Sequence, residues 1–303
     1  MRKYIAMGVL LNSFILNQGL SQQGFEKIRQ NSVNVKSLEE SVNIEQDKIK
    51  IASFNIQVFG KTKRENKDVM KVLVDIIRNF DVIAIQEIRD KSETTLPYFI
   101  KKINEKEGDR YNFIESKRLG RTRSKEKYAF IYNIKRVKYL SSYLYNDKDD
   151  RFEREPFIAQ FISDKFDYAL VNIHIKPDDA EKEITNLVDV VKNAYFKFPN
   201  DSDVIVLGDL NADGRYFSED INRGLRSKDF RWIISEDMNT TLGEDSNTYD
   251  RIVFLRKFTD EDYAEKCEVF LFDSKYNLPK DFAKKVSDHY PVWGLFYTGR
   301  DDD

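Results

Sequence analysis

Val204-Ile205-Val206-Leu207-Gly208-Asp209-Leu210-Asn211 is aliphatic at each of its first four positions and then turns acidic. A short run of this kind predicts a strand buried on both faces. Such a strand belongs in a sheet that is covered on each side. Similar runs recur outward from it. They are Ile49 to Phe59, Val82 to Ile88, Tyr111 to Ile114, Tyr128 to Tyr132, Val137 to Tyr145, Phe157 to Ile162 and Tyr168 to Ile175 on one side. Ile252 to Leu255, Val269 to Phe272 and Tyr290 to Tyr297 follow on the other. All are rich in Val, Ile, Tyr and Phe, and together they predict about eleven strands. Val69, Leu73, Ile76, Ile77 and Phe80 recur at helical spacing, as do Ile184, Leu187, Val188, Val191 and Tyr195. An α/β (α+β) fold of two stacked sheets with helices outside satisfies both periodicities.

The 303 residues divide unevenly. Arg2 and Lys3 precede a mostly apolar run, Ile5 to Leu20, which is followed by polar Ser21-Gln22-Gln23. That order predicts a secretion signal over 1–23 and a secreted protein, with an uncleaved N-terminal membrane anchor as the alternative. The run is too short and interrupted for stable membrane insertion. Residues 24–47 are polar, without apolar periodicity, and read as a linker. A single domain is expected over 48–298, with an acidic tail over 299–303. The formal net charge is −2, so a nucleic-acid partner would need a local basic surface or bridging metal ions. Cys267 stands alone, which excludes an internal disulfide and suits a small core residue.

What ends these strands carries the chemistry. Ile51 to Phe54 runs into Asn55, Val82 to Ile85 into Gln86-Glu87 and Arg89, Ala169 to Ile173 into His174, and Val204 to Gly208 into Asp209-Leu210-Asn211. Asp250 opens one strand and Asp288-His289 another. Functional side chains collect at such ends. Carboxylates beside buried runs are costly unless paired or bound to metal. Acids with amide oxygens form a hard, oxygen-rich site that suits Mg²⁺ or Ca²⁺, with Mn²⁺ a further candidate. One cysteine and two histidines argue against zinc. His174 and His289 are the two histidines of the chain, and both lie at strand ends, where imidazole can exchange protons near neutral pH.

Asn55, Gln86-Glu87-Ile88-Arg89-Asp90, Gly208-Asp209-Leu210-Asn211 and Ser287-Asp288-His289-Tyr290-Pro291 resemble the endonuclease/exonuclease/phosphatase superfamily. Leu119-Gly120-Arg121, Lys125 to Tyr128, Arg154-Glu155-Pro156, His174 with Pro177, and Tyr249 to Val253 narrow the resemblance to deoxyribonuclease I, in order from about 49 to 297. The resemblance implies a four-layer sandwich, two mixed sheets flanked by helices. It implies an endonuclease that cuts DNA, double-stranded by analogy, with weak sequence selectivity, leaving 5′-phosphate and 3′-hydroxyl ends. It pairs Glu126 with His174 and Asp250 with His289 as the catalytic groups. It assigns Asn55, Glu87, Asp209 and Asp288 to the metal, Asn211 to the phosphate, and Arg89, Arg121 and Arg154 to the DNA. Which histidine acts as acid and which as base stays open.

The chain departs from mammalian relatives in several places. Gly214 and about Asn247 replace one pair of bridged cysteines, and the Tyr145 to Phe152 loop lacks the other. Asp147, Asp149, Asp150 and Glu155 could rebuild one structural calcium site, whereas Asp237, Thr240 and Thr241 fit a second only loosely. Ser124 replaces a tyrosine that packs on the DNA sugar, and Glu115 replaces an apolar residue, so no tight actin binding is expected. Lys117, Arg118, Arg121, Arg123, Lys125 and Lys127 offer the local basic surface. Two alternatives compete: another phosphodiesterase of the superfamily such as a sphingomyelinase, and a non-catalytic DNA-binding module.

Overall fold

The computed structural model describes residues 47–122, 124–199, 203–217 and 223–299. The expected signal, nearly all of the expected linker, Arg123 and residues 300–303 lie outside the described residues. The first half comprises β1 (Lys48–Phe59), α1 (Lys61–Glu65), α2 (Lys67–Ile77), β2 (Val82–Ile88), α3 (Thr95–Glu107), β3 (Tyr111–Glu115), β4 (Lys127–Asn133) and β5 (Lys138–Leu144). Then follow β6 (Phe157–Ser163), β7 (Phe166–His174), α4 (Ala180–Lys197), β8 (Val204–Asp209), β9 (Phe230–Trp232), β10 (Asp250–Leu255), α5 (Arg256–Thr259), β11 (Tyr263–Val269), α6 (Phe272–Lys275), α7 (Lys280–Val286) and β12 (Val292–Tyr297).

Two six-stranded sheets result, ordered β11-β12-β1-β2-β4-β3 and β5-β6-β7-β8-β10-β9. Both are mixed: β1 runs parallel to β2 and β7 parallel to β8, while the other neighbours are antiparallel. Alternate residues of a strand face opposite sides, and here both sides are apolar. Ile49, Ile51, Val82, Ala84, Leu170, Ile205, Leu207 and Ile252 meet between the sheets. Ala52, Phe54, Ile83 and Ile85 face outward onto Val69, Leu73, Ile76 and Ile77 of α2. Ala169, Val171, Val204 and Val206 face outward onto Ile184, Leu187 and Val191 of α4. The result is the expected four-layer sandwich of helix, sheet, sheet and helix. At ~1.5–3 kcal/mol per buried aliphatic side chain, these rows outweigh surface ion pairs worth under about 1 kcal/mol each.

Local signals place the helices. Asn66 caps α2 by accepting from the Val69 N–H at 3.2 Å, and Asp68 in the first turn favours the helix dipole. One expectation fails. The strand expected over Val269 to Phe272 lies earlier, as β11, and Phe272 instead opens α6 with its ring buried in the outer core. β11 is an edge strand whose Glu265, Lys266 and Glu268 face solvent, so its composition hides it. The three-residue edge strand β9 is too short to leave an apolar run in the sequence. Cys267 packs at the inner core and its thiol donates to the Ile233 carbonyl at 2.8 Å.

Candidate active site

The inner rows turn polar at one end of the sandwich. On β1 the row Ile49, Ile51 continues into Ser53 and Asn55; on β7 Tyr168 and Leu170 lead to Asn172 and His174. Ile205 and Leu207 of β8 lead to Asp209, while Asp250 precedes Ile252 and Phe254 on β10. Glu126 precedes Tyr128 and Phe130 in the row of β4. Register then gathers these groups. His174 pairs with Asp209 across the parallel strands, and Asp250 pairs with Asp209 across the antiparallel ones. Gly208 permits that approach, because a Cβ there would lie 1.8 Å from the Ile173 carbonyl oxygen.

A buried amide network backs the site. Gln86 Nε2 donates to Ser53 Oγ at 3.0 Å and to Asn172 Oδ1 at 2.8 Å. Asn172 Nδ2 donates to the Ala129 carbonyl at 3.0 Å and the Ile85 carbonyl at 3.3 Å. Each of these links joins buried groups, so the network costs little and joins the two sheets just behind the polar row.

Each imidazole is held by a buried carboxylate. His174 Nδ1 lies 2.9 Å from Glu126 Oε1, and His289 Nδ1 lies 2.8 Å from Asp250 Oδ2. Their Nε2 atoms converge on one oxygen, Asp209 Oδ2, at 3.5 Å and 3.6 Å. Burial opposes charge on His174, yet Glu126 and Asp209 raise its pKa above the usual value. Burial likewise opposes charge on His289, but Asp250 and Asp209 push it up to about 10. Burial would neutralise Glu126, yet His174, Arg154 and Arg89 hold it below the usual carboxylate range. Asp209 is lowered in the same way, against burial, by His289, His174 and the Asn55 amide.

The expected metal ligands surround a β-bulge. Between Asn55↔Gln86 and Phe59↔Ile88 the register of β1 against β2 slips, and Gln57, Val58 and Glu87 adopt φ of 43°, 50° and 60°. Asn55 Nδ2 donates to Asp209 Oδ2 at 3.0 Å and lies 3.4 Å from Glu87 Oε1. Asp288 Oδ2 accepts from Gln57 Nε2 at 2.7 Å, while its Oδ1 is turned inward with no hydrogen-bond partner. That oxygen lies 3.9 Å from His289 Nε2, and an inward carboxylate oxygen without a hydrogen bond fits a hard cation. Asp209, Asp250 and His289 also offer ligand atoms within 4.8 Å of one another. The His289–Asp250 hydrogen bond competes for that second set, as the Gln57, Val58 and Arg89 contacts do for the first.

The expected DNA-binding groups separate. Arg89 is partly exposed beside the site, with Nη2 3.1 Å from Glu87 Oε2 and 3.6 Å from Glu126 Oε2. Asn211 is buried; its N–H donates to Asp209 Oδ1 at 3.1 Å and its side-chain amide to the Ile175 carbonyl at 3.0 Å. Arg121 turns to the next loop, with Nη2 2.7 Å from the Phe152 carbonyl and 2.9 Å from Asp150 Oδ1. Asp147 Oδ2 accepts from the Phe152 N–H at 2.8 Å in the same loop. Arg154 is 8% exposed and lies behind His174, donating to the His174 carbonyl from Nε at 2.9 Å and Nη2 at 2.7 Å. Lys127 is buried between Glu93 and Glu115 and adds nothing to a basic surface. Gly214 and Asn247 do face each other: a Cβ on Gly214 would lie 3.3 Å from Asn247 Oδ1. Gln57, Lys63 and Asn172 carry no motif in the sequence, and Gln86 and Tyr128 enter it only as parts of motifs without a role of their own. For Gln86 and Asn172 a signal existed, an amide inside an apolar run.

Comparison with known proteins accords with this geometry. The endonuclease/exonuclease/phosphatase family pattern matches residues 52–289. Deoxyribonuclease-1 of Oryctolagus cuniculus is 36% identical over 256 residues, 80% of this chain and 91% of that protein. Deoxyribonuclease gamma of Homo sapiens is 34% identical over 258 residues, 80% of this chain and 84% of that protein. Humanized D. rerio TDP2 has a similar structure, with a TM-score of 0.57, 16% identity, and coverage of 83% of this chain and 100% of that one. The human Nocturnin catalytic domain gives a TM-score of 0.56 at 14% identity, covering 82% and 93%. The chain therefore belongs to the deoxyribonuclease I family of the endonuclease/exonuclease/phosphatase superfamily, whose members are hydrolases.

Proposed function

We propose that this chain is a secreted, divalent-metal-dependent endodeoxyribonuclease that hydrolyses DNA phosphodiesters by two-histidine acid–base catalysis. The observation that carries the reading is the approach of both imidazole Nε2 atoms to the single oxygen Asp209 Oδ2, at 3.5 Å and 3.6 Å. Two proton-exchanging groups so close can serve the attacking water and the departing 3′-oxygen of one phosphate. Glu126 and Asp250 fix the tautomer of each ring by binding its Nδ1. One histidine takes the proton of the water as it attacks, and the other gives a proton to the leaving oxygen, so the products carry 5′-phosphate and 3′-hydroxyl ends.

Asn55, Glu87, Asp209 and Asp288 would hold the cation. A bound Mg²⁺, Ca²⁺ or Mn²⁺ would neutralise charge on the phosphate as it becomes pentacovalent. Arg89 and Asn211 are the nearest groups for phosphate oxygens, and phosphate contacts carry little sequence information, which favours weak selectivity. Arg121 would meet DNA only by leaving its loop. The expected division into signal (1–23), linker (24–47), nuclease domain (48–298) and acidic tail completes the reading. No helix among the described residues is long and apolar enough to cross a membrane. A plasmid-nicking assay across Mg²⁺, Ca²⁺, Mn²⁺ and chelator tests the activity, with sphingomyelin liposomes as the competing substrate. Cleavage of the lipid without nicking would refute it, as would DNA binding without nicking in every cation. N-terminal sequencing of protein recovered outside the cell tests the signal.

A further inference from the structure

Lys63, in α1, makes three hydrogen bonds to backbone carbonyls, and all three lead to the candidate metal site. Its ammonium donates to the carbonyls of Ile56 at 2.7 Å, Gln57 at 2.5 Å and Val286 at 2.9 Å. An ammonium has three donors, so its full complement is used. Two of the acceptors belong to the β1 bulge. The third ends α7, one residue before the turn Ser287-Asp288-His289.

That bulge touches three of the four candidate ligands. Gln57 N–H donates to Asn55 Oδ1 at 2.9 Å, Gln57 Nε2 to Asp288 Oδ2 at 2.7 Å, and Val58 N–H to Glu87 Oε2 at 2.9 Å. From the other side, Ser287 Oγ donates to the Asn55 carbonyl at 2.7 Å and accepts from the His289 N–H at 3.1 Å. Left-handed φ at Gln57 and at β-branched Val58 costs of order 1–3 kcal/mol per residue. Such a backbone persists only when its surroundings hold it. Val58 is 51% exposed, so side-chain packing does not hold it. Lys63 instead holds the carbonyls of the two residues before Val58, Ile56 and Gln57, and the negative charges of Asp288 and Glu87 attract its ammonium.

We propose that Lys63 is a positioning residue that ties the β1 bulge to the Ser287–His289 turn. It thereby fixes the spacing of Asn55, Glu87 and Asp288 around a divalent cation. This rests on the metal reading above. Lys63 touches neither phosphate nor cation. Charge alone would act the other way: an ammonium beside the pocket repels a cation, so its removal would tighten cation binding. The two effects have opposite sign, which makes the experiment decisive.

The test is Lys63→Met in the full chain, with Mn²⁺ binding measured by calorimetry in the absence of DNA, beside thermal melting in EDTA. Supporting residues of metal sites are typically worth 10–100-fold in affinity. The expected result is a Mn²⁺ dissociation constant raised about tenfold or more. The Mg²⁺ concentration for half-maximal nicking should rise in parallel, while KM for DNA at saturating metal holds. A folded variant that binds Mn²⁺ as tightly as the wild type, or more tightly, would overturn the proposal even if its melting point fell. Should Lys63→Met not fold, Lys63→Arg carries the test: a planar fork cannot reproduce all three bonds, and unchanged Mn²⁺ affinity in it overturns the proposal. A wild-type chain that binds no Mn²⁺ would overturn the metal reading and this proposal together.

Discussion

Replacing Arg154 by Met separates two roles that an arginine near a nuclease site can have. Its Nε and Nη2 both bond the His174 carbonyl, and Nε lies 3.6 Å from Glu126 Oε1. Met keeps the apolar stem but removes both bonds and the charge. Losing hydrogen bonds from a charged donor costs about 1.5–3 kcal/mol. Leaving buried Glu126 with one cation fewer adds to that, within the ~3–5 kcal/mol seen when a buried pair is broken. The variant should therefore lose at least about 2 kcal/mol of stability, read from urea unfolding. Glu126 and the backbone of His174 both shift, so kcat should fall by about 10²-fold, the lower end of what an acid–base group is worth. The salt dependence of DNA cleavage should not change, because each phosphate contact contributes about 0.9 to the logarithmic slope and this guanidinium makes none. The assay is plasmid nicking against NaCl concentration at saturating metal and low temperature. A variant with near wild-type kcat and a slope reduced by about 0.9 would refute the argument and return Arg154 to the DNA surface.

His174→Ala and His289→Ala should each lower nicking by ~10²–10⁴ with little change in far-UV circular dichroism; more than about a tenth of wild-type activity in either would contradict the acid–base assignment. EDTA should abolish nicking, and recovery with Zn²⁺ alone but not with Mg²⁺, Ca²⁺ or Mn²⁺ would contradict an oxygen-ligand site. Burial pushes the Glu183 carboxyl from 4.5 up to about 7, against the Glu153 N–H and Arg154, and its Oε2 has no hydrogen-bond partner. The folded state thus keeps a proton that the unfolded chain releases, and stability falls as pH rises from 4.5 through about 7. Glu183→Gln should match the wild type near pH 4.5 and exceed it by roughly 3 kcal/mol at pH 8.5; parallel pH profiles in urea melts would contradict this.

Much of the fold was legible because burial on both faces leaves a plain mark. Val204 to Leu207 and Ala169 to Ile173 are aliphatic at nearly every position, since one row meets the other sheet and the next row meets α4. β11 was misplaced for the opposite reason: Glu265, Lys266 and Glu268 lie on an exposed edge, where no core selects apolar residues. The site residues were visible as polar groups interrupting such runs. Arg154 and Lys63 were not readable in the same way. Whether a cation turns outward to phosphate or inward to a carbonyl depends on loop paths, and neighbouring residues do not encode those. The family resemblance put Arg154 on the DNA, whereas its place behind His174 follows from the fold of the Phe152–Pro156 segment.

The pairings across the site have one feature that explains both its construction and its sensitivity. Glu126 leads into β4 of one sheet, and its partner His174 ends β7 of the other. Asp250 opens β10 in the second sheet, and its partner His289 leads into β12 in the first. Asn55 reaches Asp209, and Gln86 reaches Asn172, across the same divide. Both carboxylates that bond an imidazole Nδ1 do so across the two sheets. The distance between each acid and its histidine is therefore the distance between the sheets, and the inner rows of Ile, Leu and Phe set it. A close-packed core resists change in that spacing because even one methylene is felt. Asn55, His174, Asp209 and Asp250 sit on inner rows where the apolar core ends, so the sandwich itself holds the two halves of the site in register.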